Sequence, residues 1–298
     1  MRFFVAVTGI AALLSVAGVS VAAAPPPIPQ ALYVDPPADA AHPAGMAAFV
    51  IPSHGGALNA VMYTAAGAEA HPTLLLLHGF PGNEQNLDLA QAARRAGWNV
   101  LTLHYRGSWG SPGAFSFAHC IEDAATALVY LRSPAVAAFG VDPARIAVAG
   151  HSMGGIVAAR VAAADPGVAG AFLIDPADLA AIGRSFADPA AREGFLVELR
   201  GDMPPLSGTS EAALMAEITR AEPAHDLVAT MPALAGRPLA LIGAKRGIGA
   251  MAEAAATAAR ASGAHHLDAE TLATDHNFSD MRIALAARLV TWLAQFQR

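Results

Sequence analysis

A Gly-x-Ser-x-Gly pentad at residues 150–154 constrains this chain more than any other feature. The run 145–149 before it, apolar from Ile146 onward, predicts a short buried strand, and the Ala-rich run 155–164 after it predicts a helix. A serine on such a tight strand-to-helix turn holds its hydroxyl clear of the backbone and beside the helix N-terminus. Strand and helix approach closely there, so neither glycine can carry a side chain without a clash. This context favours Ser152 as a nucleophile over a chance occurrence of the pentad.

Strand and helix patterns alternate along the chain, behind an N-terminal hairpin of strands 47–51 and 57–64. The later strands are predicted at 73–77, 99–104, 146–149, 170–174, 238–242 and 266–272. The helices between and after them are predicted at 84–96, 121–131, 153–164, 250–261 and 278–296. Repeated βα units predict a mostly parallel sheet covered by helices on both faces. The alternation breaks over about 176–236, which predicts a cap inserted over the carboxyl ends of the strands.

The N-terminus has the pattern of a secretory signal peptide over 1–23. Arg2 precedes an apolar stretch, and small residues at 21–23 provide a cleavage site. The sequence therefore predicts a secreted or periplasmic protein with no membrane anchor after cleavage. Residues 24–43 are rich in Pro and Ala and predict an arm or linker, followed by one domain over 44–298.

Composition narrows the function classes further. The formal net charge of −6 over 298 residues gives no indication of a nucleic-acid partner. Cys120 is the single cysteine, so an exported chain of this kind has no internal disulfide, and we expect its thiol to pack as a small hydrophobe. The histidines show no convincing metal-ligand spacing, so neither a metal nor a cofactor is predicted.

A serine hydroxyl needs a base, and His276 is the best candidate. It follows the last predicted strand and opens the last helix. Because the carboxyl ends of parallel strands share one edge of a sheet, His276 and Ser152 are expected on the same edge. A purely structural histidine at the helix start is the less favoured alternative.

The remaining site residues are predicted from two loops. One oxyanion donor is the backbone N–H of Met153, directly after the nucleophile, and the second is the N–H of Phe80 in the His-Gly-Phe-Pro-Gly loop at 78–82. Trp109 follows another strand at the same edge and is predicted either to line the substrate pocket or to have a structural role. Arg106 in the same loop is predicted to form an ion pair.

Three motifs in this order, at 78–82, 150–154 and Asp-His at 275–276, resemble those of the α/β-hydrolase fold, and within it the serine esterases and peptidase-like members. The resemblance covers almost all of the chain after the signal segment. It implies a small-molecule ester or amide substrate and no cofactor. The chain departs from the family in one loop, because most relatives carry an aspartate after the penultimate strand, whereas some lipase-like members place their acid one strand earlier. Here that loop, 243–249, contains only Lys245 and Arg246 as charged residues.

The triad acid is therefore sought elsewhere. Asp175 ends the strand 170–174, on the same edge as His276, and is the favoured candidate. Asp178 follows closely, and Glu253 lies in the helix after the 243–249 loop. Helix capping competes with a catalytic role for both aspartates.

These features predict an exported serine hydrolase that cleaves carboxylic esters through an acyl-enzyme. A peptidase, an amidase or an acyltransferase on the same fold is the first alternative. The missing acid motivates another, a non-catalytic binding protein on a degenerate scaffold.

Overall fold

The computed structural model describes residues 28–220 and 222–296. Its central element is an eight-stranded sheet. The strands are β1 Gly45–Ser53, β2 Gly56–Thr64, β3 His71–Leu77, β4 Asn99–Leu103, β5 Val141–His151, β6 Val168–Ile174, β7 Leu239–Arg246 and β8 Leu267–Asp275. Their order across the sheet is β1-β2-β4-β3-β5-β6-β7-β8. The pairs β1–β2 and β2–β4 are antiparallel, and all other pairs are parallel. The predicted α/β class with a mostly parallel sheet is confirmed.

Helices cover both faces of this sheet. They are α1 Leu87–Arg95, α2 Phe117–Leu131, α3 Met153–Ala164, α8 Gly249–Ala261 and α9 Arg282–Leu293. In β3, Leu75 and Leu77 pack into the core beneath α2, α3 and α8, whereas Leu74 and Leu76 pack into the core beneath α1 and α9. Successive side chains of a strand point to opposite faces, so an unbroken apolar run is what a sheet buried on both sides requires.

Between β6 and β7, where the sequence predicts a cap, the chain forms helices α4 Leu179–Ser185, α5 Pro189–Asp202, α6 Glu211–Thr219 and α7 Leu227–Thr230. The buried side chain of Glu217 in α6 accepts hydrogen bonds from the N–H groups of Phe117 and Ala118, at 3.1 and 2.7 Å. These are free donors of the first turn of α2, where a carboxylate is favoured. Glu217 therefore fastens the cap to the helix layer beneath it.

Part of the predicted N-terminal arm lies against the domain. A short 3₁₀ turn spans Gln30–Leu32, and Ala31 and Leu32 pack against the core beneath α1 and α9. The Ala31 carbonyl also accepts a hydrogen bond from the Arg95 guanidinium at 2.5 Å. The predicted signal peptide, 1–23, lies outside the described residues. In the part of the chain that the structure covers, no helix combines the length and the apolarity needed to cross a bilayer.

Candidate active site

Ser152 is the single residue between the end of β5 and the start of α3, and its backbone angles are φ 55° and ψ −121°. This backbone conformation is strained for a residue with a side chain and is characteristic of functional sites. A β-carbon at Gly150 would lie 1.9 Å from the carbonyl oxygen of Gly154, and one at Gly154 would lie 2.4 Å from that of Leu77. The close approach of strand and helix that the pentad implies is therefore present.

His276 follows β8 directly and lies beside Asp175, which follows β6. The distance from His276 Nδ1 to Asp175 Oδ2 is 2.6 Å. A carboxylate can only accept here, so Nδ1 carries the proton, and the neutral imidazole then keeps a free lone pair on Nε2. The His276 side chain is 34% exposed and that of Asp175 is fully buried. The pair thus has a buried carboxylate and an accessible imidazole.

The loop at 243–249, which lacks an acid, supplies the other partners of Asp175. The Ala244 N–H donates to Oδ1 at 2.8 Å and the Ile248 N–H donates to Oδ2 at 2.9 Å. Such donors satisfy a carboxylate buried away from water. A β-carbon at Gly247 would lie 2.2 Å from Asp175 Oδ2 and 2.9 Å from His276 Cα. The loop therefore has no room for a side chain at Gly247 while Asp175 occupies this place.

The two other candidate acids contact different groups. Asp178 is the N-cap of α4, where its Oδ1 accepts the Ala181 N–H at 2.8 Å. Glu253 lies in α8 and accepts a hydrogen bond from the Thr271 hydroxyl at 2.8 Å. Of the three acids, Asp175 is the one that the structure pairs with His276.

Two backbone N–H groups are available beside Ser152. Met153 is the first residue of α3, where an N–H has no partner within the helix. The N–H of Phe80 has no hydrogen-bond acceptor among the described residues. A β-carbon at Gly79 would lie 2.9 Å from Ser152 Cβ, so the 78–82 loop lies directly against the serine. Both predicted oxyanion donors are therefore neighbours of the nucleophile candidate in the chain or in space.

Two buried histidines, His78 and His151, support this site, in agreement with the structural role that their places in the 78–82 loop and the pentad predict. His151 Nε2 donates to the carbonyl of His276 at 2.9 Å, and the two rings lie 4.6 Å apart. His78 Nδ1 donates to the Gly79 carbonyl at 2.7 Å. Burial lowers the pKa of each, from 6.5 to about 4, so both rings are neutral near pH 7. A neutral ring beside His276 adds no positive charge that would oppose its protonation during a reaction.

A cavity of about 660 Å³ opens between the sheet edge and the cap. Ser152, His276, Phe80 and Met153 line it together. Most of the opposite wall is apolar and comes from the cap, with side chains of Leu179, Ile182, Phe186, Phe195 and Leu199. This space is of the size that holds a small organic ligand.

Apart from His276, the ionisable side chains at the cavity wall are acidic. Glu198 and Asp202 line it one helical turn apart in α5, and neither Lys nor Arg is among its lining residues. Burial and the neighbouring Glu198 carboxylate raise the pKa of Asp202. Asp202 also ends α5, where the helix dipole disfavours negative charge.

Of the two roles predicted for Trp109, the structure supports the structural one rather than a place in the pocket wall. Trp109 is absent from the cavity wall. Its indole Nε1–H donates to the carbonyl of Pro81, at 2.8 Å, and its backbone φ is 48°. This positive φ directs the side chain toward the 78–82 loop, and residue types alone give no sign of it.

The structure also shows the two contacts that the sequence predicts for Arg106 and Cys120. Arg106 forms its predicted ion pair, with Nε 2.6 Å from Oδ1 of the buried Asp123. Cys120 is a buried free thiol whose pKa is raised by burial, which disfavours the thiolate. Within residues 28–220 and 222–296, no cluster of three or more His, Cys, Asp or Glu side chains could hold a metal ion.

Comparison with known sequences assigns the chain to a family. Residues 74–293 match the model of the alpha/beta hydrolase family, and the chain belongs to that family. A curated relative is an uncharacterized protein of Mycobacterium tuberculosis, 33% identical over 132 residues. The alignment covers 44% of this chain and 46% of that protein, so it spans about half of each.

Solved structures with the same fold include several esterases. The thermostable carboxylesterase EstE1, cloned from a metagenomic library, matches with a TM-score of 0.58 and 22% identity, over 89% of this chain and 92% of that one. An esterase of Pyrobaculum calidifontis matches with a TM-score of 0.64 and 21% identity, over 86% and 87%. A bacterial brefeldin A esterase matches with a TM-score of 0.60 and 16% identity, over 89% and 82%. At these identities the likeness shows a shared fold.

Proposed function

We propose that this protein is a serine hydrolase that cleaves small carboxylic esters through an acyl-enzyme, with Ser152 as nucleophile, His276 as base and Asp175 as triad acid. The observation that carries the proposal is the 2.6 Å contact of His276 with the buried Asp175 carboxylate, at a cavity that Ser152 also lines. An acid, an imidazole and a serine at one sheet edge can perform general-base-assisted acyl transfer.

Acylation would begin when Ser152 Oγ attacks the ester carbonyl carbon while His276 Nε2 takes the hydroxyl proton. The N–H groups of Phe80 and Met153 would hold the oxygen that becomes negative. Asp175 stabilises the imidazolium that forms. When the tetrahedral intermediate collapses, the C–O bond to the alcohol breaks, and His276 gives its proton to the leaving oxygen. The product is an ester of Ser152 and a free alcohol.

Deacylation repeats these steps with water. His276 takes a proton from water, the hydroxide attacks the acyl carbon, and the same donors hold the oxyanion. The bond to Ser152 Oγ then breaks and His276 returns the proton to the serine. The carboxylic acid leaves and the enzyme is restored.

An ester substrate is favoured over an amide because the structural relatives include esterases and a carboxylesterase. The non-catalytic alternative rests on the absence of an acid in the 243–249 loop. The N–H groups that this loop donates to Asp175 support Asp175 as the acid and so favour the catalytic proposal.

The test combines labelling with turnover. The wild type is expected to react with a fluorophosphonate probe and to hydrolyse p-nitrophenyl esters faster than matched aminoacyl-nitroanilides. Ser152→Ala is expected to lose both probe labelling and ester turnover while keeping the wild-type circular dichroism spectrum. Near-wild-type hydrolysis by the variant would refute the nucleophile, and faster cleavage of the anilides would favour an amidase or peptidase.

We also propose that the protein is exported to the periplasm or the exterior, on the basis of the signal-like pattern over 1–23. Cell fractionation followed by N-terminal sequencing tests this. A mature N-terminus near Ala24 is expected, and a cytoplasmic protein that retains Met1 would contradict it.

A further inference from the structure

We propose that Trp109 is a positioning residue that holds the Phe80 N–H in its place beside Ser152 and ties the 78–82 loop to the cap. The inference rests on the proposed function, since it concerns an oxyanion donor. It assigns a role in the reaction to a side chain that lies outside the cavity wall.

The first support is the contact between the indole and the loop. Trp109 Nε1 donates to the Pro81 carbonyl, one residue after Phe80, at 2.8 Å. On the other side of Pro81, a β-carbon at Gly82 would lie 2.8 Å from that same nitrogen and 2.7 Å from the His78 ring. The loop backbone is thus enclosed between two rings. The Trp109 residue is itself 39% exposed, so this contact is not simple core packing.

The second support is the backbone of Trp109. Its φ of 48° lies in the left-handed region, which is costly for a bulky side chain. A glycine would adopt this conformation without that cost. The indole reaches Pro81 from this conformation, so the strain accompanies the hydrogen bond. Strained residues of this kind cluster where the surrounding structure has a functional requirement.

The third support is a link to the cap. The Trp109 N–H donates to the Pro205 carbonyl at 3.0 Å. Nearby, the Ser207 N–H donates to the Gly107 carbonyl at 2.8 Å, and the Phe115 N–H donates to the Ser207 carbonyl at 3.0 Å. A cap segment at 205–207 is therefore joined to the loop that carries Trp109. One residue contacts the cap through its backbone and the oxyanion loop through its side chain.

The expected effect falls on the transition state. An oxyanion donor acts only when it is held at the position where charge develops, and the loss of one donor costs about 10²–10³ in rate. Loosening the loop without removing the donor should cost less. Because Trp109 does not line the cavity, ground-state substrate binding should change little. Such a change lowers kcat and leaves KM nearly unaltered.

The test is Trp109→Phe, which keeps an aromatic ring and removes the N–H donor. We expect kcat for a p-nitrophenyl ester to fall about 10-fold or more while KM stays within about 2-fold. Affinity for a trifluoromethyl ketone, whose adduct carries an oxyanion, should fall in proportion to kcat. Trp292→Phe is the matched control, because the buried Trp292 indole N–H has no acceptor among the described residues. The kcat of Trp292→Phe should stay at the wild-type value.

A second measurement is independent of turnover. The NMR order parameter of the Phe80 backbone N–H should fall in Trp109→Phe and stay unchanged in Trp292→Phe. An active wild type together with unaltered kcat, ketone affinity and Phe80 order parameter in Trp109→Phe would overturn the role of Trp109. Equal losses in both variants would show a structural effect only and would overturn it too. A wild type without ester turnover would instead contradict the proposed function, while the order parameter would still report on the loop.

Discussion

At the scale of single residues, the site depends on what surrounds Asp175. The carboxylate accepts three hydrogen bonds, from the His276 ring and from two backbone N–H groups of one loop. A buried acid held this way has one orientation, and that orientation in turn selects the His276 tautomer with the proton on Nδ1. Positioning and tautomer choice therefore come from the same set of contacts.

Asp175→Asn is expected to lower kcat by about 10³–10⁴, because the amide can stabilise the wrong tautomer of the imidazole and cannot stabilise the imidazolium. The measurement is steady-state hydrolysis of a p-nitrophenyl ester, with thermal unfolding as a check on folding. Asp178→Asn is the matched control, since Asn caps a helix nearly as well as Asp and Asp178 caps α4. A rate loss in the control equal to that of Asp175→Asn would contradict this assignment of the acid.

At the scale of elements, the sequence predicts those features of the site that follow from the order of strands and helices. Ser152, Asp175 and His276 each come directly after a strand of the parallel part of the sheet, so their common edge follows from the βα pattern. The direction of a side chain from a loop does not follow in this way. Trp109 faces the 78–82 loop because of a positive φ that is rare for tryptophan. The docking of Ala31 and Leu32 likewise depends on tertiary contacts that a Pro-rich composition does not encode.

The Glu217 carboxylate is one of the groups that hold the cap on the domain, and the effect of its removal should be measurable. Glu217→Ala is expected to lower the free energy of unfolding by about 1–3 kcal/mol, because it leaves the N–H groups of Phe117 and Ala118 without their acceptor. Urea unfolding measures this. Glu211→Ala in the same helix is the control. It breaks only an exposed pair with Arg200, worth about 1 kcal/mol or less. Equal losses in the two variants would rule out Glu217 as a specific anchor.

At the scale of the whole molecule, the charge of the cavity should select substrates. Because Glu198 and Asp202 line it without Lys or Arg, an ester that carries its own carboxylate should bind less well than a neutral ester of equal size. We expect kcat/KM to be at least about 10-fold lower for the anionic ester, a difference of about 1.4 kcal/mol. Asp202→Asn should narrow that gap and leave the neutral ester nearly unaffected. An unchanged gap would mean that Asp202 has no influence on substrate choice.

The two buried histidines beside the site should also make the whole fold sensitive to acid. The pKa of His78 and that of His151 are each lowered to about 4, against 6.5 for an exposed histidine. As the pH falls below 6.5, the unfolded chain binds protons at these positions before the folded chain does, so the free energy of unfolding decreases. This loss begins near pH 6.5 and, for these two groups, is complete below about pH 4. At pH 5 it amounts to about 2 kcal/mol for each histidine.

Urea unfolding at pH 7, 6 and 5 measures this dependence. The wild type is expected to lose about 4 kcal/mol between pH 7 and 5 from the two groups together. His151→Gln and His78→Gln should each reduce that loss by about 2 kcal/mol, whatever their effect at pH 7, because a glutamine does not titrate. The exposed residues His265 and His266, replaced by glutamine together, provide the control for the substitution itself. A wild type equally stable at pH 7 and pH 5 would contradict the buried neutral state of both rings.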